Sequence, residues 1–250
     1  MPVSYLAEMT WEEVGDFDLV RAVAILPVGA VEAHGPHLPL TTDVIISEAM
    51  ARSAAEKLHT QGYRVLILPS ISYTAAPFAA SFSGTCSLDP DIVTAVLMSI
   101  ARNLTRQGIR ILAVANSHLD PANISAIDTA VASARDENLL KIVFPDISKK
   151  PWATRLTDEF KSGACHAGQY ETSVVLAERP ELVREDIRKE LPPNPSSLSD
   201  AIRDGLETFE EADGARAYFG YPANASIAEG KQTVDILGSI LEEAIKAHGA

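Results

Sequence analysis

The chain has 250 residues, of which 46% are hydrophobic and 22% charged, a composition typical of a globular protein without long disordered segments. Its 34 acidic and 21 basic residues give a formal net charge of −13. Such an acidic surface repels phosphate backbones and anionic lipids, so we expect neither nucleic acid nor a membrane as a partner.

Four short apolar runs predict β-strands. Their nearly continuous apolar character indicates burial on both faces, and they alternate with longer periodic stretches, as in sheets whose parallel strands are joined by helices. The predicted fold is therefore α/β, a three-layer αβα sandwich with a mainly parallel sheet. The predicted strands are Ala22–Pro27, Arg64–Leu68, Ile109–Ala115 and Lys141–Phe144.

Five longer stretches predict helices. The clearest has apolar residues at three- and four-residue steps and ends before Gly108. The first follows a possible cap at Thr42 or Asp43 and ends before Gly62. In chain order the predicted helices are Val44–His59, Pro90–Gln107, Pro121–Asp136, Gly168–Glu178 and Ser226–Ala247.

One segment, Leu191–Ser199, is predicted to be irregular because its prolines remove hydrogen-bond donors and restrict the backbone. The roughly fifty residues that follow are too few for a second core, so we expect a single domain over residues 1–250. We find no basic stretch followed by an apolar core, the pattern of a secretion signal. No apolar run approaches the roughly 18 residues that a membrane span needs. Two cysteines, Cys86 and Cys165, are too few for a disulfide scaffold, and we expect a cytoplasmic protein.

Glu32 and His34 follow the first predicted strand, at the end where open α/β sheets place their ligand sites. Residues two apart in extended chain point to the same side, so both side chains can face one point. Asp43 lies at the start of the next helix, where a capping role is the commoner one and a ligand role is the alternative. His37 lies between prolines, and we assign it no ligand role.

Two more predicted strand ends carry similar pairs. His118 and Asp120 follow the third strand, and the loop after the fourth leads to His166 and Glu171. One such pair would mean little, since histidines and carboxylates often hydrogen-bond in loops. Three together predict a metal site, and mixed imidazole and carboxylate ligands suit Zn²⁺, Mn²⁺ or Fe²⁺ better than Ca²⁺ or Cu⁺.

The sequence lacks the motifs of several other kinds of enzyme. The sequence has no phosphate-binding loop, no dinucleotide-binding glycine motif after the first strand and no serine nucleophile elbow. Cys165 precedes His166, but neighbours in sequence rarely point at each other, so we interpret this cysteine as a packing residue.

These residues resemble the creatininase family of amidohydrolases, and the matching segments keep the family's order over nearly the whole chain. The segments are Leu26–Pro39 continuing to Asp43, Gly84-Thr85, Asn116-Ser117-His118, His166–Ser173 and Gly220–Ser226.

The resemblance implies a centre of two divalent metal ions in an α/β sandwich that assembles as a homohexamer. Glu32 and His118 would bind one ion, and His34 with an acid near Asp120 the other. Asp43 would bridge the two ions rather than cap a helix. His166 would transfer protons beside the bridging water.

The chain departs from the family pattern at two places. Creatininase has a glutamate at the position of Asp120, and the shorter aspartate leaves Glu171 as the reserve ligand or as an acid that orients a ligand histidine. Leu119 replaces a tyrosine beside the metal-binding histidine, and Lys161–Cys165 contains no tryptophan. Creatinine itself is therefore not expected as the substrate.

We expect a metal-dependent amidohydrolase in which two ions, Zn²⁺ or Mn²⁺ with Fe²⁺ also compatible, activate water to hydrolyse a C–N bond. The expected substrate is a small molecule, a cyclic amide or a formamide. One alternative is a hydrolase that opens a cyclic ketone or lactone ring with the same site. The other is a metal-stabilised binding protein without turnover.

Overall fold

The structure, a computed structural model, describes residues 3–249. Five parallel strands form one sheet in the order β1-β3-β2-β4-β5, which places β2 at the centre. The three central strands consist largely of buried aliphatic residues, as expected for a sheet covered on both faces. The strands are Ser4–Tyr5 (β1), Ala22–Val28 (β2), Arg64–Ile67 (β3), Ile111–Asn116 (β4) and Lys141–Val143 (β5).

Nine α-helices lie within the described residues, and the five longest form two layers. The shorter helices have five or six residues each. The helices are Trp11–Gly15 (α1), Thr42–Thr60 (α2), Pro90–Arg106 (α3), Pro121–Asp136 (α4), Asp158–Ser162 (α5), Gln169–Glu178 (α6), Glu185–Glu190 (α7), Leu198–Arg203 (α8) and Ile227–Ala247 (α9).

Alternate residues of the strands build two separate cores. On β2, Val23 and Ile25 face one side and pack with α2, α6 and α9. Ala24 and Leu26 face the other side and pack with α3 and α4. Because the side chains of a strand alternate with a period of two, one sheet supports both cores. The result is the predicted three-layer αβα sandwich.

All four predicted strands and all five predicted helices are confirmed, with ends that shift by up to two residues. Strand β1 and helices α1, α5, α7 and α8 were not predicted, because two to six residues are too few to show a period.

The irregular segment is confirmed over residues 191–197, but the prediction is wrong for Leu198 and Ser199, which begin α8. Ser197 caps this helix by accepting a hydrogen bond from the backbone N–H of Asp200. The segment also packs back onto the chain, since the Asn194 N–H donates to the Gly220 carbonyl at 2.9 Å.

A search of the described helices for a membrane span found none that is long and apolar enough.

Candidate metal centre

Two neighbouring strands bring the first predicted ligands together. Val28, the last residue of β2, is the register partner of Asn116, the last residue of β4. Glu32 and His34 follow β2, and His118 follows β4, so all three emerge at the same edge of the sheet. The chain continues from β2 to β3 on one side of the sheet and to β4 on the other, so the strand order reverses beside β2. Open α/β sheets usually bind their ligands at such a reversal, outside the carboxyl ends of the strands.

Asp43 lies between two histidines of this cluster. Its Oδ1 is 3.3 Å from His34 Nε2, and its Oδ2 is 3.0 Å from His118 Nδ1. The capping interpretation of Thr42 or Asp43 is wrong, because the N-cap residue of α2 is Thr41 and no side chain caps this helix end. Asp43 instead occupies the first helical turn, which directs its carboxylate to the carboxyl ends of β2 and β4.

Glu32 and Glu171 complete the acidic part of the cluster. Glu32 Oε1 is 3.2 Å from His118 Nδ1 and 3.8 Å from His34 Nε2. Glu171, in the first turn of α6, has Oε2 3.5 Å from His34 Nε2. The N–H of Ala167 donates to the same Glu171 oxygen at 2.6 Å.

His166 packs against Glu32 and His34 of the cluster. Its Nδ1 is 3.8 Å from Glu32 Oε1, and its ring centroid is 4.3 Å from that of His34. The other face of His166 packs on Phe209, again with 4.3 Å between ring centroids. The imidazole is therefore held between two rings, with one nitrogen facing the acids.

Each of the three histidines uses one ring nitrogen for a backbone carbonyl. A carbonyl only accepts, so that nitrogen donates and the other ring nitrogen faces the carboxylates, an orientation that metal-ligating histidines commonly show. The pairs are His34 Nδ1 with Glu32 O at 3.2 Å, His118 Nε2 with Ala75 O at 2.8 Å and His166 Nε2 with Ala33 O at 2.9 Å.

The cluster fits a bound cation. With both histidines neutral, the form that binds a cation, Glu32 Oε2, His34 Nε2 and Asp43 Oδ2 are buried and make no hydrogen bond within the described residues. Leaving three polar atoms unsatisfied in one place is costly unless a cation, or protons on the histidines, occupy the space between them. Ligand atoms lie within 4.8 Å of one another in three sets: Glu32, His34 and His166; Glu32, Asp43 and His118; and His34, Asp43 and Glu171.

Asp120, the remaining predicted ligand, lies outside these three sets. It is the N-cap residue of α4, and its Oδ1 accepts a hydrogen bond from the Ala122 N–H at 2.8 Å. Its Oδ2 accepts from the Phe78 N–H at 3.2 Å. Its carboxylate is thus engaged by backbone donors, while Glu171 supplies the third carboxylate of the cluster.

His37 is buried behind the cluster and outside the three sets. Its Nε2 lies 2.9 Å from Thr172 Oγ1 on α6. Burial lowers the pKa of His37 to about 3, and His34 lowers it further in the same direction. This histidine is therefore neutral and links the loop after β2 to α6.

The acids determine the protonation of the cluster. Burial alone would lower the pKa of His34, but Asp43, Glu171 and Glu32 outweigh it and raise the pKa to about 10. Burial likewise opposes protonation of His118, yet Glu32 and Asp43 raise its pKa well above the usual value. Burial raises the pKa of Glu171 to about 8, although His34 opposes this. Before a cation binds, both histidines therefore carry protons at pH 7.

We predict that binding of divalent cations releases protons. A cation competes with the protons on His34, His118 and Glu171, so at pH 7 at least two protons should leave, and the apparent affinity should rise with increasing pH. Calorimetric titrations with Zn²⁺ in buffers of different ionisation enthalpy measure this release. A cation that binds without proton release would show that these histidines are not its ligands.

A cavity of about 1130 Å³ opens onto the cluster. Phe78 and Phe209 line it beside His166, and the Phe209 N–H donates to the Phe78 carbonyl at 3.1 Å. Sequence reasoning missed both phenylalanines, since no motif surrounds them. Cys165 also lines the cavity, and burial raises its pKa to about 12, which keeps the thiol protonated and agrees with the packing interpretation.

The fold and the site together define a class: α/β proteins in which carboxylates and imidazoles for divalent metals gather at the carboxyl ends of parallel strands. Residues 7–245 match the family model Creatininase, described as creatinine amidohydrolase. The chain therefore belongs to the creatininase family, and the resemblance inferred from the sequence is confirmed.

Known proteins of two kinds are similar in sequence. A creatinine amidohydrolase of Pseudomonas putida is 30% identical over 212 residues, which cover 76% of this chain and 77% of that protein. A mycofactocin precursor peptide peptidase of Mycobacterium tuberculosis is 29% identical over 233 residues, or 89% of this chain and 82% of that protein. Both are named as hydrolases of C–N bonds, and this chain is an enzyme of the same class.

Solved creatininase structures share the whole fold. A manganese form of creatininase superposes with a TM-score of 0.76 and 26% identity, covering 98% of each chain. A creatininase variant complexed with creatine gives a TM-score of 0.75 and 25% identity, covering 99% of each chain. The α/β class and the parallel sheet predicted from the sequence are thereby confirmed.

Proposed function

We propose that the chain is a metal-dependent amidohydrolase whose cluster holds two divalent cations, Zn²⁺ or Mn²⁺. Glu32, Asp43 and His118 would hold one cation, and His34, Asp43 and Glu171 the other. Asp43 would belong to both sets because its two oxygens face different histidines. The observation that carries the proposal is the group of buried ligand atoms without hydrogen bonds.

The charge of the cluster is compatible with two cations. The two proposed sets contain the carboxylates of Glu32, Asp43 and Glu171 and two histidines that can be neutral. With one hydroxide, these carboxylates balance the charge of two divalent cations. With a single cation, a proton on the histidine that the cation leaves free would offset the remaining carboxylate charge.

When bound, two such cations lower the pKa of a shared water so that hydroxide is present near neutral pH. The protein orients His166 for proton transfer and keeps its ring neutral. Burial keeps the pKa of His166 well below its usual value, so the ring is neutral, and its Nδ1 faces the cluster while its Nε2 donates to Ala33. His166 Nδ1 would take the proton from water and deliver it to the leaving nitrogen as the C–N bond breaks.

The cavity favours a substrate larger than a lactam ring. Its volume of about 1130 Å³ exceeds the roughly 300–1000 Å³ of pockets for drug-sized ligands. It runs outward from the cluster along α4, residues 146–154 and α8. We infer an amide that carries a chain of several atoms beyond the scissile bond. The relative named as a peptide peptidase supports this choice.

Small cyclic amides and formamides are the second candidate substrates. The relative named as a creatinine amidohydrolase and the creatininase structure with bound creatine support a small head group at this site. The aromatic lining here comes from Phe78, Phe160 and Phe209.

The first test is metal dependence. We expect about two ions per chain by elemental analysis and an amide hydrolysis that stops with a chelator and returns with Zn²⁺ or Mn²⁺. Activity that persists without metal, or a chain that binds no divalent ion, would contradict the proposal.

The same metal-loaded enzyme then separates the two substrate classes. A panel would pair lactams, hydantoins and simple formamides with acylated short peptides that present the same amide. We expect kcat/KM to rise with chain length, because the longer substrates fill the cavity. Equal values across the panel, or a preference for the small rings, would favour the second candidate.

A further inference from the structure

We propose that Glu159 is a positioning residue for the cluster: its buried carboxylate binds the N-terminus of α6 and thereby places Glu171. The inference rests on the proposed two-cation centre, in which Glu171 holds one of the ions. Glu159 lies on α5 and is only 8% exposed. It belongs to none of the three sets of possible ligands.

The carboxylate of Glu159 joins two segments of backbone. Its Oε1 accepts a hydrogen bond from the Tyr170 N–H at 2.9 Å, in the first turn of α6. Its Oε2 accepts from the Tyr221 N–H at 2.7 Å, in the loop before α9. The N-cap residue of α6 is Gly168, which has no side chain to satisfy this helix end. Glu159 supplies the missing acceptor and a negative charge at the positive end of the helix dipole.

Two glycines make room for this arrangement. A Cβ at Gly168 or at Gly220 would overlap the carboxylate group of Glu159. Gly220 also has a φ of +78°, a conformation that side-chain-bearing residues rarely adopt. The backbone can therefore approach the carboxylate closely from both segments.

Both segments that Glu159 joins are connected to site residues. Glu171 follows Tyr170 in the first turn of α6, and the N–H of Ala167 fixes its Oε2. The Phe219 N–H donates to the His166 carbonyl at 2.8 Å, which ties the second segment to the proton-transfer residue. A shift of the α6 terminus would thus move the Glu171 carboxylate away from His34.

The effect should differ between the two cations. Only the set of His34, Asp43 and Glu171 depends on α6. In the other set, Glu32 and His118 follow β2 and β4, and Asp43 lies on α2. Loss of this positioning contact should weaken the binding of one ion and leave the binding of the other unchanged. Loss of a residue that merely supports the fold would weaken the binding of both ions together.

The test uses Glu159→Gln in the full chain, with Glu229→Gln as the matched control. Gln keeps the shape but turns one acceptor into a donor that faces a backbone N–H. Glu229 lies beside the same helix end, where its Oε2 accepts from the Gln169 side chain rather than from the backbone. Zn²⁺ titrations followed by calorimetry give both affinities, and steady-state kinetics give kcat and KM.

For Glu159→Gln we expect one Zn²⁺ affinity to fall by about 10–100-fold, the range typical of residues that orient ligands, with kcat reduced more than KM changes. The other affinity and both affinities of Glu229→Gln should stay unchanged. Glu159→Asp, which keeps the charge but withdraws it by one methylene, should show the same selective loss and serves if Glu159→Gln does not fold.

Unchanged affinities with unchanged kcat, or an equal fall in both affinities, would overturn the positioning role. A wild-type chain that binds fewer than two ions would instead overturn the two-cation centre itself.

Discussion

Asp43→Asn should remove both cations and lower kcat/KM by more than about 100-fold. Loss of a residue that only orients a ligand costs about 10–100-fold, and Asp43 is the carboxylate shared by both proposed ligand sets. Asn keeps the size of the side chain but replaces one anionic oxygen by an amide donor, which cannot bind a cation. Elemental analysis after dialysis and steady-state kinetics would measure both effects.

A matched control for this change is Asp91→Asn. Asp91 is also an acid in the first turn of a helix, α3, but it is exposed and lies outside the cluster. We expect it to keep both ions and full activity. If Asp43→Asn retained two ions and near-normal turnover, Asp43 would act only in the structure of the α2 terminus.

Much of the cluster follows from local pattern. Glu32 and His34 could be paired from sequence because they are two residues apart at the end of an apolar strand. His118 could be added because it follows another buried strand, and parallel strands end at one edge of a sheet. Periods of two and of about 3.6 are local properties, so the fold class and the long elements could be predicted from them.

The roles of the acids depended on the tertiary structure. Asp43 lies at the start of a helix, where an aspartate can be either a capping residue or a metal ligand. Only its distances to His34 and His118 distinguish these two roles. Asp120 and Glu171 were both plausible third acids. Asp120 caps its own helix, whereas the position of α6 brings Glu171 to His34.

Other parts of the site leave no local signal in the sequence. Phe78 and Phe209 are distant in the chain and meet only through packing, with 6.0 Å between their ring centroids. In the sequence, Glu159 looks like an ordinary acid of a short helix. Its carboxylate accepts hydrogen bonds from backbone N–H groups, which almost any residue could provide. The roles of these residues depend on how distant segments of the chain pack together. The residue type alone does not predict that packing.

His166→Ala should lower kcat by about 10²–10⁴-fold and leave two cations bound. This is the range that a positioned acid or base contributes, and Ala cannot carry the proton from water to the leaving nitrogen. His248→Ala is the control, because His248 is an exposed histidine at the end of α9. Elemental analysis and single-turnover kinetics of both variants would separate a loss of proton transfer from a loss of metal.

The pH profile of the wild-type enzyme gives a second measure of His166. The neutral ring is the form that accepts a proton, and burial, reinforced by His34, holds its pKa well below the usual value of 6.5. Protonation of His166 should therefore not reduce activity as the pH falls through 6.5, and a decline in that range reflects the metal-bound water or loss of metal and should remain in His166→Ala. Only a decline at lower pH, with metal still bound, should disappear in His166→Ala. If the variant instead lost a cation, His166 would be a ligand in the set with Glu32 and His34, and another group would have to move the proton.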